Sequence, residues 1–190
     1  MRFFSFIVLF LFSLNHAHPL LSENGEIDGV DYEFNHVDSC YSFRGSFFVK
    51  AELDCLISTL YNFKHLRNII SDAESIILIQ QGKNWYDAGY TFKMFFFTNE
   101  SVYRKTLKLE EQEIFFEMIS NKQSSNFFPE VLSSSGYYRI KGESTGYVIE
   151  YFQECKIRSS FLTNVYINMA KKESLKFMLE LKEYIKKSCH

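Results

Sequence analysis

Hydrophobic positions alternate through three runs between residues 85 and 120. The runs are Trp85 to Phe97, Val102 to Leu109 and Ile114 to Ser120, broken at Asn99-Glu100 and Glu110-Glu111. Extended runs with such short connections predict an antiparallel meander. A two-residue turn at Asn99-Glu100 sets Phe96 opposite Tyr103, Met94 opposite Lys105 and Phe92 opposite Leu107. One at Glu110-Glu111 sets Leu107 opposite Ile114, Lys105 opposite Phe116 and Tyr103 opposite Met118. Side chains alternate along a strand, so one face collects Tyr90, Phe92, Met94, Phe96, Tyr103, Leu107, Ile114, Phe116 and Met118. Such a face needs a cover.

Other elements follow from the same patterns. Tyr41 to Val49 alternates and reads as a first strand. Leu53, Leu56, Ile57 and Leu60 recur at helical spacing across Ala51 to Tyr61, and a second short helix runs from about Phe63 to Ile70. Ser75 to Gln81 is a strand, and Ser135 to Lys141 with Tyr147 to Cys155 make a last hairpin. Phe161 to Lys187 is the one long helix, with a stripe of Phe161, Leu162, Val165 and Met169 and a second, rotated stripe of Leu175, Met178, Leu179 and Ile185. It touches two surfaces: first the sheet or a cavity, then other helices.

The N-terminus changes the cellular picture. Arg2 followed by an apolar run from Phe3 to Leu14 reads residues 1–17 as a secretory signal, too short for a spanning helix. No Cys follows closely, so no lipid anchor is expected, and the protein is read as secreted or periplasmic. Residues 18–38, polar and acidic, read as a flexible lead-in, and 39–190 as one domain. Export would place Cys40, Cys55, Cys155 and Cys189 in an oxidising compartment, where four cysteines allow three pairings.

Charge and motifs narrow the function. The formal charge is −2 with no basic surplus, so nucleic acid is not an expected partner. No nucleophile elbow, phosphate loop or metal-ligand spacing is present; His16, His18, His36 and His190 form no set, and no cofactor or metal is expected. His65, near a helix junction, reads as packing, and Arg104 with Glu117 as a cross-strand pair on the outer face. Asn99-Glu100-Ser101 matches a glycosylation sequon, although a tight turn uses the same residues. Lys182, Lys186 and Lys187 are a solvated helix face or a peripheral contact for an anionic membrane.

The order strand, two short helices, six antiparallel strands and long helix resembles the helix-grip fold of the START-like superfamily, which includes START lipid-transfer domains, polyketide cyclases and plant pollen-allergen relatives. The segment Phe47-x-Val49-x-Ala51-Glu52-x-Asp54-x-Leu56, continuing through Leu60-Tyr61-Asn62-Phe63 to His65-Leu66, resembles that superfamily's strand-to-helix entry. Phe161-Leu162-Thr163-Asn164-Val165, followed by Lys171-Lys172, resembles the start of the START terminal helix, most like a bacterial START-type lipid-binding domain. The resemblance covers roughly residues 40–187. It implies an α+β fold in which a seven-stranded curved antiparallel sheet grips the helix, with a tunnel for an apolar ligand between them.

The resemblance also puts the first strand beside the last. With Cys40 opposite Cys155, Phe43 meets Phe152, Gly45 meets Glu150 and Phe47 meets Val148, all facing inward. The implied disulfides are then Cys40–Cys155, across those strands, and Cys55–Cys189, where the short helices cradle the end of the long one. The implied cavity comprises Tyr90, Phe92, Met94, Phe96, Tyr103, Lys105, Leu107, Phe116, Met118, Tyr138, Glu150, Phe152, Val165 and Met169. The plain alternative is ordinary core, with Lys105 paired to Glu150 or reaching the tunnel mouth.

Three functions stay open. One is an exported monomeric carrier for a hydrophobic small molecule or lipid. Another is a cyclase-like or hydrolytic enzyme using Lys105, Tyr138 and Glu150, with no residue assigned as catalytic. The third is an interaction module presenting Phe95, Phe97, Val102, Phe115 and Ile119.

Overall fold

The computed structural model describes residues 21–94, 97–124 and 128–189. The expected signal segment, Phe96 and the side chain of Met94 lie outside the described residues. In chain order the elements are β1 (Leu21–Ile27), β2 (Val30–Val37), β3 (Cys40–Val49), α1 (Leu53–Tyr61), α2 (Phe63–Ile69) and β4 (Ser75–Gln81). Then come β5 (Trp85–Met94), β6 (Phe97–Lys108), β7 (Glu113–Gln123), β8 (Val131–Glu143), β9 (Gly146–Ile157) and α3 (Thr163–Ser188). One curved antiparallel sheet runs β1-β2-β3-β9-β8-β7-β6-β5-β4. Every neighbour is a hairpin partner except β3 and β9, which close the path after α1 and α2 have crossed over.

Nine strands replace the expected seven because residues 21–37 are not a loose lead-in. Ile27 pairs with Val30 across Asp28-Gly29, both at positive φ (49° and 68°), as a two-residue hairpin turn requires. Buried Val30 and Phe34 anchor the pair, and Phe34 stacks on Tyr41 at 5.8 Å. Lys182 Nζ on α3 donates to the Gly29 carbonyl at 3.0 Å, and Lys171 meets Glu23 at 2.6 Å. The terminal helix thus closes over the hairpin.

α3 packs its far half on β3. Met178, Leu181 and Ile185 are fully buried against a core containing Phe43, Phe47 and Ile149. Gly45 makes the close approach possible, since a Cβ there would stand 2.9 Å from Met178. The near half is less deeply sunk. Phe161 precedes the helix and is 83% exposed, and Val165 is 50% exposed. Of the expected stripe of Phe161, Leu162, Val165 and Met169, only Met169 lines the space under the helix, together with Tyr166, Ala170, Ser174 and Phe177.

Two registers differ from expectation. The β5–β6 hairpin turns between Met94 and Phe97, so Phe92 faces Asn99 and Tyr86 faces Lys105. Asn99-Glu100 lies inside β6, not at its turn. This register pairs Asp87 with Arg104, whose Nε is 2.8 Å from the carboxylate and whose guanidinium covers Trp85 at 4.2 Å. Between β3 and β9, Tyr41 rather than Cys40 stands opposite Cys155. That one-residue difference turns β9 over.

Candidate functional site

A cavity of about 630 Å³ separates the concave face of the sheet from the middle of α3. Its floor is laid by alternate residues of successive strands. Tyr90 and Phe92 come from β5, Ser101, Tyr103 and Lys105 from β6, Phe116 from β7, Tyr138 from β8 and Tyr151 from β9. Tyr166, Ala170 and Phe177 roof it from α3. Asp72, Lys93, Lys176 and Glu180 also line it, with Lys176 paired to Asp72 at 2.7 Å.

The floor is held by ring packing. Phe116 stacks on Tyr151 at 5.8 Å and meets Tyr138 at 5.7 Å and Tyr103 at 6.4 Å. Phe177 descends from α3 onto Tyr151 at 5.1 Å. Gly136 lets Phe116 lie this low, because a Cβ there would come within 2.6 Å of its ring. The tyrosine hydroxyls remain protonated donors at neutral pH. Burial raises the pKa of Tyr90, Tyr103, Tyr138 and Tyr151 above the ordinary phenol, and that of Tyr166 to about 12.

Lys105 is the exception in this apolar floor. Its side chain is 4% exposed, its Nζ donates to the Leu60 carbonyl at 3.4 Å, and it lies 5.0 Å from the Tyr138 ring centroid. No carboxylate among the described residues forms an ion pair with it. Burial pulls its pKa down to about 7.

Of the residues expected in the cavity, Tyr90, Phe92, Tyr103, Lys105, Phe116, Tyr138 and Met169 line it. Leu107 packs instead against the main core, half-buried Met118 stays off the lining, and Val165 faces solvent. Glu150 and Phe152 are on the opposite, convex face. Glu150 accepts from Tyr137 and Lys141, each at 2.8 Å, and Phe152 stacks on Tyr137 at 5.4 Å beneath Arg44. Lys105 and Glu150 therefore do not pair. The cause is the β9 register: Tyr151, Gln153 and Cys155 face inward where their neighbours were expected. Glu150 and Glu154 on one face of β9 were the available sign of its outer side.

The same slip separates Cys40 from Cys155. Cys40 is exposed opposite Lys156, while Cys155 is buried and bonded to Ser134 Oγ at 3.3 Å, so the expected bridge between them is absent. Cys55 and Cys189 are joined by a disulfide with Cα atoms 5.7 Å apart. It staples α1 to the end of α3. Among the described residues no three His, Cys, Asp or Glu side chains converge as a metal site.

No family model and no curated protein matches this sequence. Solved structures do match its shape. A STAR-related lipid transfer protein from Xanthomonas axonopodis superposes with a TM-score of 0.67 at 12% identity, over 87% of this chain and 98% of that one. This is the START-like helix-grip fold. The Zhui aromatase/cyclase from a Streptomyces species shares it with a TM-score of 0.64 at 12% identity, over 78% of this chain and 93% of that one. Human STARD10 does so with a TM-score of 0.64 at 12% identity, over 87% of this chain and 72% of that one. In this helix-grip chain the N-terminal β1–β2 hairpin extends the sheet beyond β3.

Proposed function

We propose that this chain is an exported binding or carrier protein for a hydrophobic small molecule or lipid, held between the sheet and α3. The observation that carries this reading is the cavity of about 630 Å³ walled by Tyr90, Phe92, Tyr103, Phe116, Tyr138 and Phe177. A cavity of this size and apolar lining is of the kind that encloses small ligands. An apolar ligand moving into it from water is favoured by roughly 25 cal/mol per Å² of apolar surface removed. The STAR-related lipid transfer protein from Xanthomonas axonopodis, which shares the fold, supports the same ligand class. Export is supported by the apolar run at residues 3–14 and suits the Cys55–Cys189 disulfide.

Native mass spectrometry after mild purification, followed by solvent extraction, tests the reading. A co-purifying apolar molecule, or uptake of added lipid at one per chain, is expected. An empty protein that takes up no lipid would overturn it.

A catalytic reading starts from one observation, the buried Lys105 amine 5.0 Å from the Tyr138 ring centroid, where burial lowers its pKa to about 7. It loses Glu150, which lies outside the cavity. Turnover of an extracted ligand that disappears in Lys105→Met and Tyr138→Phe would favour it over carriage.

A further inference from the structure

Lys105 is a buried amine without a counter-ion among the described residues. An ammonium has three donors, and one of them meets the Leu60 carbonyl at 3.4 Å. Tyr86 stands opposite Lys105 across β5 and β6, and its buried hydroxyl has no hydrogen-bond partner. Lys105 thus lines the cavity with its amine beneath α1, and the unpartnered Tyr86 hydroxyl belongs to the adjoining core around Tyr61 and Phe63. A buried donor without a partner is costly, and a buried charge without one more so.

From there the cavity runs along one strand. Lys105, Tyr103, Ser101 and Asn99 all line it from the inward face of β6. Lys105 and Asn99 are six positions apart on the strand, or about 20 Å. The lining between includes Tyr90, Phe92, Phe116 and Tyr138, and Lys93, Asp72 and Lys176 also line the cavity. The lining is mainly apolar, with the Lys105 amine at the α1 end of this row.

We propose that the cavity takes an amphipathic carboxylic acid, its carboxylate seated against Lys105 Nζ and its apolar chain directed along β6 toward Asn99. This rests on the carrier reading above and adds the headgroup and its direction. A neutral lipid would leave the Lys105 donors unmet. A carboxylate carries the single charge and the acceptor oxygens that the ammonium lacks. The protonated Tyr138 hydroxyl is a further donor lining the same cavity. With its pKa near 7 when the cavity is empty, Lys105 is mostly neutral at pH 8. Seating an anion restores the ammonium, so binding takes up a proton from solution.

The test uses the full chain and three probes sharing one tail: oleic acid, oleyl alcohol and methyl oleate. Titration calorimetry at pH 8, in buffers of different ionisation enthalpy, reads affinity and proton uptake together. The wild type is expected to bind oleic acid about tenfold or more tighter than methyl oleate, the scale of a charge-assisted hydrogen bond. Proton uptake should accompany the acid and not the alcohol. Lys105→Met should lose the preference and the uptake while still binding oleyl alcohol, and Lys105→Arg should keep the preference without the uptake. Equal affinities in the wild type, or a preference that survives in Lys105→Met, would overturn the proposal and leave the carrier reading standing. Failure of all three probes would overturn both. If Lys105→Met does not fold, the wild-type comparison and its proton uptake decide the matter.

Discussion

The Tyr184 hydroxyl lies 2.7 Å from Nδ1 of His65, joining the last turns of α3 to α2 across the mouth of the helix layer. Asn68 Nδ2 donates to the same hydroxyl at 3.1 Å, and the phenol donates its own proton to Nδ1 in the tautomer that leaves that nitrogen bare. In that direction the bond requires neutral His65. Burial, then the nearby Lys64, holds the pKa of that imidazole below its ordinary value. The unfolded chain takes up the proton first, so this site's contribution is complete above pH 6.5 and declines as pH falls below it. Tyr184→Phe is expected to lower stability by about 0.5–1.5 kcal/mol, one net hydrogen bond. Urea unfolding of the two proteins at pH 7.5 and pH 5 should show the difference shrinking at the lower pH; a constant difference would contradict the assignment.

Lys105 gives a pH dependence of opposite origin. Its pKa is about 7 in the folded, ligand-free chain and near 10.5 in the unfolded one. The unfolded chain binds more protons between those values, so folding stability rises with pH across that window. Below pH 7 the full cost of the buried cation is present. Lys105→Met is expected to be more stable than the wild type at pH 7 by up to about 4 kcal/mol, and to lose the slope between pH 7 and pH 9.5. Above pH 10 the buried tyrosines reverse the trend in both proteins. Their folded pKa values are raised, so the unfolded phenols ionise first and stability falls. Chemical denaturation across pH 6–11 checks both limbs.

Why Lys105 was legible from sequence and Glu150 was misplaced comes down to parity. The β5–β6 hairpin differs from the simple turn reading by eight positions, since Phe92 faces Asn99 and not Leu107. An even displacement leaves every side chain on its own face, so Tyr90, Phe92, Tyr103 and Lys105 stay inward. The β3–β9 pairing differs by one, and an odd displacement exchanges the faces, sending Glu150 and Phe152 outward and bringing Tyr151 and Cys155 in. Both faces of β9 carry large apolar residues, so alternation alone does not fix its register. The order of elements from β3 to α3 was legible because each carries its own period. The β1–β2 hairpin was passed over as a polar lead-in, though Asp28-Gly29 between alternating residues is a strong hairpin signal.

Glu150 should act in stability and not in ligand binding. Burial opposes its ionisation, but hydrogen bonds from Lys141 and Tyr137 and the charge of Arg44 outweigh it and hold the carboxyl below its ordinary value. A lowered folded value means the stabilisation is present above pH 4.5 and is lost as pH falls through the folded pKa. Glu150→Gln is expected to cost about 1–3 kcal/mol at pH 7 and to flatten the acid limb of the stability curve. Lipid uptake should be unchanged. A loss of uptake with stability intact would place Glu150 in the cavity after all.

The cysteines separate covalent closure from burial. Cys55–Cys189 closes a loop with a sequence separation of 134, and in the chain-entropy model a loop of that size restricts the unfolded state by about 4–5 kcal/mol. Replacing both by Ser is expected to lower stability by about 2–5 kcal/mol, the span found for native disulfides. Part of the loss should come from the junction itself, because Thr59 Oγ1 lies 3.4 Å from Cys189 Sγ and packs beside the bridge. The free thiols should differ from each other. Cys40 is exposed and should alkylate in the native protein. Cys155 is buried, and burial raises its thiol pKa, so it should react only after unfolding. Non-reducing peptide mapping with alkylation before and after denaturant reads all four residues at once. A Cys40–Cys155 linkage would require Tyr41 to give up its place opposite Cys155, and with it the face of β9 that floors the cavity.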